Sequence, residues 1–410
     1  MKKYILKYQA VLFPILDIAL NGANYIFHVY IAWYLITSDY GVLNALLSLS
    51  SLMLVTGISF QLYTAKYIAE GDIFAKSNFS SRVSEIRKVA FGIIGVLSSV
   101  FFILIVPIHN VTRGSYSALI LLLIIFVMNI FLSINRGVIQ GTKQFIHLNI
   151  SFYVEVSTKI IFVFFLLRAF KNINSVLISI AIGMLVSLIH SMVVSRKLSG
   201  NNGEKEKVLA EKKHITRIIA IFAANFFTYF FTSLDILVVN YYLPDVSGYF
   251  AVVLKYTQIL LYASVSVTTV FIPGLSAAKT NRHEFMKKIK LLFGLIALMI
   301  FLVVLGYSFL ASPTVDMFFG KQYGMAKVYI LPDCIPYALL ILNFTVINIH
   351  IVFDNKKYLG VLLGFSILLL GLLIVFHQNL NQIIMIESII YGAMLVSLII
   401  LFKKSFKKLG

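Results

Sequence analysis

The sequence predicts an all-α integral membrane protein with twelve transmembrane helices in two six-helix lobes. Three observations predict it. Hydrophobic residues make up 60% of the 410-residue chain and charged residues 12%, with a mean hydropathy of +0.93; a water-soluble chain carries about 25% charged residues. Apolar stretches recur at the length a helix needs, ~20 residues at ~1.5 Å each, to cross ~30 Å of hydrocarbon. Basic residues fall in alternate loops, as membrane topology demands.

Taken in order, the apolar stretches place spans at 9–37, 42–69, 89–109, 115–135, 145–167, 173–195, 215–243, 247–275, 289–311, 326–353, 357–376 and 383–402. The first begins MKKYILKYQAVLF and runs on through Asp17, Asn21 and Asn24 without a small-residue cleavage site. It reads as a retained helix rather than a signal peptide. With the N-terminus cytoplasmic, one set of loops holds Lys2, Lys3, Lys7, Arg82, Arg87, Lys88, Lys143, Lys287, Lys288, Lys290, Lys356 and Lys357, and the C-terminal tail reads KKSFKKLG. The opposite loops hold Arg113, Arg168, Lys171, Lys321 and Lys327. Both termini are therefore expected in the cytoplasm. The net charge of +19 reads as topology and contact with anionic lipid heads, not as nucleic-acid binding.

Residues 201–214 lie in a long polar connection, RKLSGNNGEKEKVLAEKKHITR (196–217), and are expected to link a lobe of 1–200 to one of 215–410. The lobes echo each other. YLITSDYGVLNALLSLSSL (34–52) lies over YYLPDVSGYFAVVLKYTQI (241–259) when Gly41 is set on Gly248. Six crossings per lobe start both on the same side, so the repeat is parallel. Transporters built this way place a substrate site at the repeat interface.

Ionisable side chains inside spans are costly and mark functional paths. Here the polar residues form stripes at three- and four-residue spacing, which keeps them on one helix face. Asp17, Asn21, Asn24 and His28 stripe the first span; Ser151, Glu155, Thr158 and Lys159 the fifth; Asn225, Thr228, Thr232 and Asp235 the seventh; Lys255, Gln258, Tyr262, Ser266 and Thr269 the eighth. Interhelical hydrogen bonding alone accounts for the neutral members as well as a polar path does. Among the charged ones, Asp235 and Lys255 sit at similar depth on adjacent spans and are expected to pair, as are Glu155 and Lys159 one turn apart. Asp17 has no evident partner and is a candidate ion carrier. Lys66, Arg136 and Arg217 fall near cytoplasmic ends, where they snorkel or attract an anionic substrate. Pro332 and Pro336 make the tenth span a candidate bending point.

The sequence offers no site for catalysis. It has no GxxxxGK[ST], HExxH or GxSxG and no long outer loop, so no ATPase, zinc-hydrolase or esterase site and no cofactor are expected. The single Cys334 reads as a small buried side chain.

Two stretches carry a family resemblance. DYGVLNALLSLSSLMLVTGISFQLYTAKYIAEG (39–71) and SLDILVVNYYLPDVSGYFAVVLKYTQIL (233–260) resemble the second-helix region and the seventh-to-eighth hairpin of the polysaccharide repeat-unit flippases. These form one family of the multidrug, oligosaccharidyl-lipid and polysaccharide (MOP) exporter superfamily. The resemblance implies a MATE-like arrangement and flipping of an undecaprenyl-pyrophosphate-linked oligosaccharide across the bacterial plasma membrane. The partners it implies are that lipid-linked oligosaccharide, membrane lipids, H+ or Na+, and other polysaccharide-assembly proteins. It implies a basic cavity in which Lys255 matches a substrate-binding position. Lys159, Arg136, Lys66 and Arg217 extend that set on physical grounds, with Asp17, Asp235 and Glu155 as candidate ion-coupling or gating groups. A drug or cation antiporter of the same superfamily is the alternative. A membrane-embedded glycan polymerase or ligase is the enzymatic one, and it lacks the large outer loop expected of it. A non-transporting scaffold for a synthesis complex has no feature in its favour.

Overall fold

The computed structural model describes residues 19–69, 79–199, 222–223, 225–279, 281–353 and 355–406. Among the described residues the regular elements are helices and there is no strand. In chain order they are α1 (19–34), α2 (Thr37–Ala69), α3 (Phe79–Ile103), α4 (Ile105–Thr112), α5 (Tyr116–Gly141), α6 (Phe145–Phe170), α7 (Ile173–Ser199), α8 (225–231), α9 (Leu234–Tyr242), α10 (Pro244–Ala277), α11 (Arg282–Phe318), α12 (Ala326–Val352), α13 (Tyr358–Val375) and α14 (Leu380–Phe406). Ten contain a stretch long and apolar enough to cross a membrane. Joining α3 to α4 and α8 to α9, and counting α1, gives the twelve expected spans.

Both broken spans have local causes. In the third, Pro107 has no N–H to give the carbonyl of Ile103, and the helix is interrupted at Leu104 (φ −93°, ψ 10°). In the seventh, Thr232 and Ser233 form a turn between α8 and α9, with Ser233 N–H bonded to Phe230 O at 3.2 Å. Several helices outrun the apolar stretches that predicted them. α11 begins at Arg282, where Asn281 caps it by accepting from Glu284 N at 3.1 Å. α12 runs unbroken through Pro332 and Pro336, so the expected bending point is not a break in the helix.

The chain divides into two compact units, Met1–Tyr229 and Phe230–Gly410. The expected linker, 201–214, lies outside the described residues.

In the first unit α2 packs on α5, and α7 packs on both α5 and α6. Close approach rests on glycines. A Cβ on Gly137 would lie 2.7 Å from the carbonyl oxygen of Gln61, and one on Gly141 2.7 Å from that of Ala65. Phe60, Tyr63, Val83, Ile86, Phe126, Ile130 and Val138 form the core where α2, α3 and α5 meet. Polar cross-ties join α2 to α5: Gln61 Nε2 donates to Gln140 Oε1 at 3.0 Å, and Asn129 Nδ2 to Leu54 O at 3.3 Å. Each such bond contributes only about 0.6 kcal/mol in a membrane interior, so apolar packing carries most of the stability.

In the second unit α12 is central, packed by α10, α11 and α14. Tyr307 OH donates to Tyr256 O at 2.8 Å and Asn343 Nδ2 to Tyr391 O at 2.8 Å. The buried His350 ring bridges Leu398 O (3.1 Å) and Asn355 Nδ2 (3.0 Å), tying α12 to α14. The outward residues of α11, such as Leu298, Phe301 and Phe309, are exposed apolar side chains, as expected of a helix facing lipid.

Candidate functional site

Each unit holds a polar cluster inside its apolar helices. In the first unit it is built around Arg136 of α5. The guanidinium donates to Ser151 Oγ (2.9 Å), Ser151 O (3.1 Å), Ser187 Oγ (3.0 Å) and Glu155 Oε2 (2.7 Å), and lies 4.0 Å from the centroid of Phe152. Only 5% of the residue is exposed. Far from snorkelling at a helix end, Arg136 clamps α5, α6 and α7 together. Gly183 makes the clamp possible: a Cβ there would sit 2.7 Å from the carbonyl of Glu155. The resulting approach lets Ser187 reach Ser151, with the two hydroxyls 2.9 Å apart.

Lys159 lies one turn beyond Glu155 and points to α1. Its amine donates to Asn24 Oδ1 at 2.6 Å and sits 4.6 Å from the centroid of Phe27. The expected Glu155–Lys159 pair is therefore not formed. The planar guanidinium of Arg136 engages Glu155 and both serines at once, a geometry an ammonium cannot copy. Lys66 is exposed in the last turn of α2. Asp17 and Arg217 lie outside the described residues.

The second cluster begins at the break between α8 and α9. Asp235 stands in the first turn of α9, where free amides and the helix dipole favour an anion. Its Oδ1 accepts from Ile236 N at 2.7 Å and its Oδ2 from Tyr337 OH at 3.1 Å. Lys255, on α10, is 9% exposed and donates to Gln258 Oε1 at 3.3 Å. Lys255 and Asp235 lie within electrostatic reach of each other, but the expected ion pair is not formed. Asp235 is already satisfied by an amide and a phenol, and the amine follows its own helix. Further along α10 the stripe turns outward at the exposed Tyr262; the side chains of Ser266 and Thr269 lie outside those described.

Two further acids complete this cluster, and sequence reasoning missed both. Asp333 on α12 is 0% exposed, and the Thr257 hydroxyl is the neighbour that acts on its carboxyl, from outside good hydrogen-bond geometry. Glu387 on α14 is 1% exposed with Oε1 unpartnered. The carboxyls of Asp235, Asp333 and Glu387 interact electrostatically, so three helices direct acids at one buried region. Asp333 and Glu387 are single acids in otherwise apolar runs, so neither makes a stripe. The available signal was a shared spacing: each is followed four residues later by a tyrosine, Tyr337 and Tyr391. Both tyrosines are buried, and Tyr391 OH donates to Phe231 O at 3.0 Å. Among the described residues no three His, Cys, Asp or Glu side chains are gathered closely enough to ligate a metal ion.

Residues 11–279 match the model of a family described as polysaccharide biosynthesis proteins, and this span contains Lys255 and the other charged candidates named from sequence. A comparison with curated proteins gives no match. Among solved structures the chain is similar to an inward-facing multidrug resistance MATE family transporter of the MOP superfamily, with a TM-score of 0.76 at 10% identity over 97% of this chain and 98% of that one. It is also similar to the lipid II flippase MurJ in an inward closed conformation, with a TM-score of 0.71 at 18% identity over 97% and 90% of the two chains. An outward-facing MATE transporter gives 0.66 at 10% identity over 97% and 94%. At these identities the likeness is one of fold.

Proposed function

Because the chain belongs to the polysaccharide biosynthesis protein family, we propose that it is a flippase. It carries an undecaprenyl-pyrophosphate-linked oligosaccharide from the inner to the outer leaflet of a bacterial plasma membrane by alternating access. The observation that supports this reading best is the state of two amines. Lys159 and Lys255 lie within the apolar spans, and among the described residues each is held by a neutral amide, Asn24 or Gln258, with no carboxylate in ion-pair distance. A cation in hydrocarbon is expensive when its nearest carboxylate, Glu155 for Lys159 and Asp235 for Lys255, acts on it only from beyond ion-pair distance. A diphosphate headgroup supplies the missing negative charge. Arg136 already engages Glu155, Ser151 and Ser187 within the protein, so its part is to fix the helices that carry Lys159. The fold shared with the lipid II flippase MurJ fits a lipid-linked cargo.

The acidic cluster is the candidate point at which transport couples to an ion gradient. Three buried carboxyl groups need balancing charge, and we assign protons to that task, exchanged across the membrane as substrate moves. The tyrosine hydroxyl between α12 and Asp235 is placed to respond to a change of charge there. This refines the expected coupling role of Asp235 and adds Asp333 and Glu387 to it.

The test is depletion and complementation. Cells depleted of the protein should accumulate lipid-linked oligosaccharide on the inner leaflet. Wild-type protein should clear it, Lys255→Ala and Lys159→Ala should not, and Lys255→Arg should restore part of the flux. Normal surface-polysaccharide assembly with correctly inserted Lys255→Ala would remove that lysine from the mechanism. The antiporter reading rests on the fold shared with MATE transporters and on the acids. It requires that Asp235→Asn and Asp333→Asn raise drug sensitivity while Lys255→Ala does not.

A further inference from the structure

The two units carry a matching turn that the flippase chemistry above does not use. In the first unit α6 passes to α7 through Phe170-Lys171-Asn172-Ile173-Asn174-Ser175; in the second, α13 passes to α14 through Phe376-His377-Gln378-Asn379-Leu380-Asn381-Gln382. Asn172 and Asn379 are as far apart in sequence as Gly41 and Gly248. Both asparagines cap the helix that follows. Asn172 Oδ1 accepts from Ser175 N at 2.9 Å, and Asn379 Oδ1 from Gln382 N at 3.0 Å. Gln382 Oε1 in turn accepts at 2.8 Å from the N–H of Gln378, the residue before the cap, so two side-chain bonds tie the second turn to the start of α14.

Each turn stands beside aromatic rings from the first helix of its unit's six. At the end of α9, Tyr242 stacks on His377 with centroids 3.5 Å apart and 22° between planes, and Tyr241 meets Tyr242 edge-on at 4.6 Å. His377 Nδ1 is buried and has no hydrogen-bond partner. At the end of α1, Tyr30 stacks on Phe164 and meets Tyr34 at a 40° tilt, Arg168 covers the same Phe164 ring at 3.9 Å, and Trp33 stands 63% exposed. Charge asymmetry puts both patches at the outer surface.

We infer that the patch of the second unit, Tyr241, Tyr242 and His377 with the amides of Gln378, Asn379 and Asn381, is a binding site for uncharged sugar residues. It rests on the flippase reading, because it assigns the glycan portion of that substrate a place at the outer face. A pyranose offers one face of C–H bonds, which stacks on an aromatic ring, and a rim of hydroxyls that both donate and accept. Side-chain amides answer hydroxyls in both senses, and aromatic rings offer a rigid apolar face with a polar tip. The turn from 376 to 382 contains no Lys, Arg, Asp or Glu, so it is ill suited to a phosphate or a lipid headgroup. An aromatic belt that only anchors the protein at the interface has no need of an exposed amide such as Asn381. The first-unit patch has the same parts plus a cation, Arg168, which extends its range to acidic sugars.

The experiment uses the full chain in lipid nanodiscs. The probe is the oligosaccharide released by mild acid from the host's own lipid-linked pool, free of phosphate and lipid. Saturation-transfer NMR should show transfer to the pyranose protons with wild-type protein. Tyr242→Ala and Asn381→Ala should each weaken binding about tenfold, the order expected for losing one ring or one polar contact. Tyr242→Phe should bind as wild type. Asn381 is exposed, so its replacement leaves the packing intact and reads the site even where Tyr242→Ala fails to fold. Absence of transfer with wild-type protein, or equal binding by Asn381→Ala and correctly folded Tyr242→Ala, overturns the sugar site. In either case accumulation of inner-leaflet intermediates on depletion still supports the flippase. Failure to accumulate overturns the flippase itself.

Discussion

Arg136, Lys159 and Lys255 are three cations inside apolar helices, and their surroundings predict different roles. Arg136 meets two serines and a carboxylate, whereas each lysine amine meets one neutral amide. Removing one partner of a buried, hydrogen-bonded charge pair costs about 3 kcal/mol or more, since the other is left stranded. Arg136→Met is therefore expected to lower stability by about 3 kcal/mol, read as thermal unfolding in detergent, with a matching loss of protein in the membrane. Lys159→Met replaces an amine that strands only Asn24, so its stability should stay within about 1 kcal/mol of wild type while transport is lost. Asp333 goes further: with neither oxygen in a well-formed hydrogen bond and only the Thr257 hydroxyl nearby, Asp333→Asn should hold or raise the melting temperature and abolish proton-dependent transport in vesicles. A fall in stability as large as that of Arg136→Met would mark Asp333 as structural. The sequence exposed Lys255 and Lys159 because a charge in an apolar run is conspicuous. It mispaired both because spacing along one helix cannot show what a neighbouring helix brings. Glu155 chose an arginine from α5, which no i to i+4 rule contains.

Helices were the most legible level, because length and hydropathy alone decide whether a segment can lie in hydrocarbon. Nearly all of the apolar stretches returned as helices at the expected places. The breaks were harder to foresee. Pro107 accounts for the interruption at Leu104, but Pro332 and Pro336 leave α12 continuous, and the turn at Thr232–Ser233 arises without a proline. A missing amide does not decide the matter alone; what the neighbouring helices offer the freed carbonyl does. Glycine spacing between α2 and α5 was likewise silent until the helices were placed. Gly137→Leu is expected to force these helices apart, because its side chain would start 2.7 Å from the carbonyl of Gln61. A loss of about 1–3 kcal/mol, measured by denaturant unfolding, is the expected outcome; Gly306→Leu, with open space around it, is the control.

For the molecule as a whole, a fold held in common at 10–18% identity shows how little of the architecture depends on particular side chains. Apolar length, which decides where the helices lie, is readable from one sequence. On the proposed function, transport depends instead on a handful of buried groups, two of which, Asp333 and Glu387, sequence reasoning passed over. Orientation belongs to this scale as well. Cys334 is the only cysteine and is buried, so single cysteines can be introduced without competing signal. The topology expected from loop charge, with both termini in the cytoplasm, predicts that Lys171→Cys reacts with an impermeant maleimide in intact cells and Lys356→Cys only after permeabilisation. The reverse pattern would invert the whole topology, and with it the direction of transport.

Trp33 gives the molecule a built-in optical label. It is the only indole in the chain, and it stands at the tip of α1 beside Tyr30 and Tyr34. Its emission therefore reports on that one corner with no dye attached. Blue emission would show the ring among acyl chains and red emission would show it in water. A shift between the two during turnover would time the movement of the first helix.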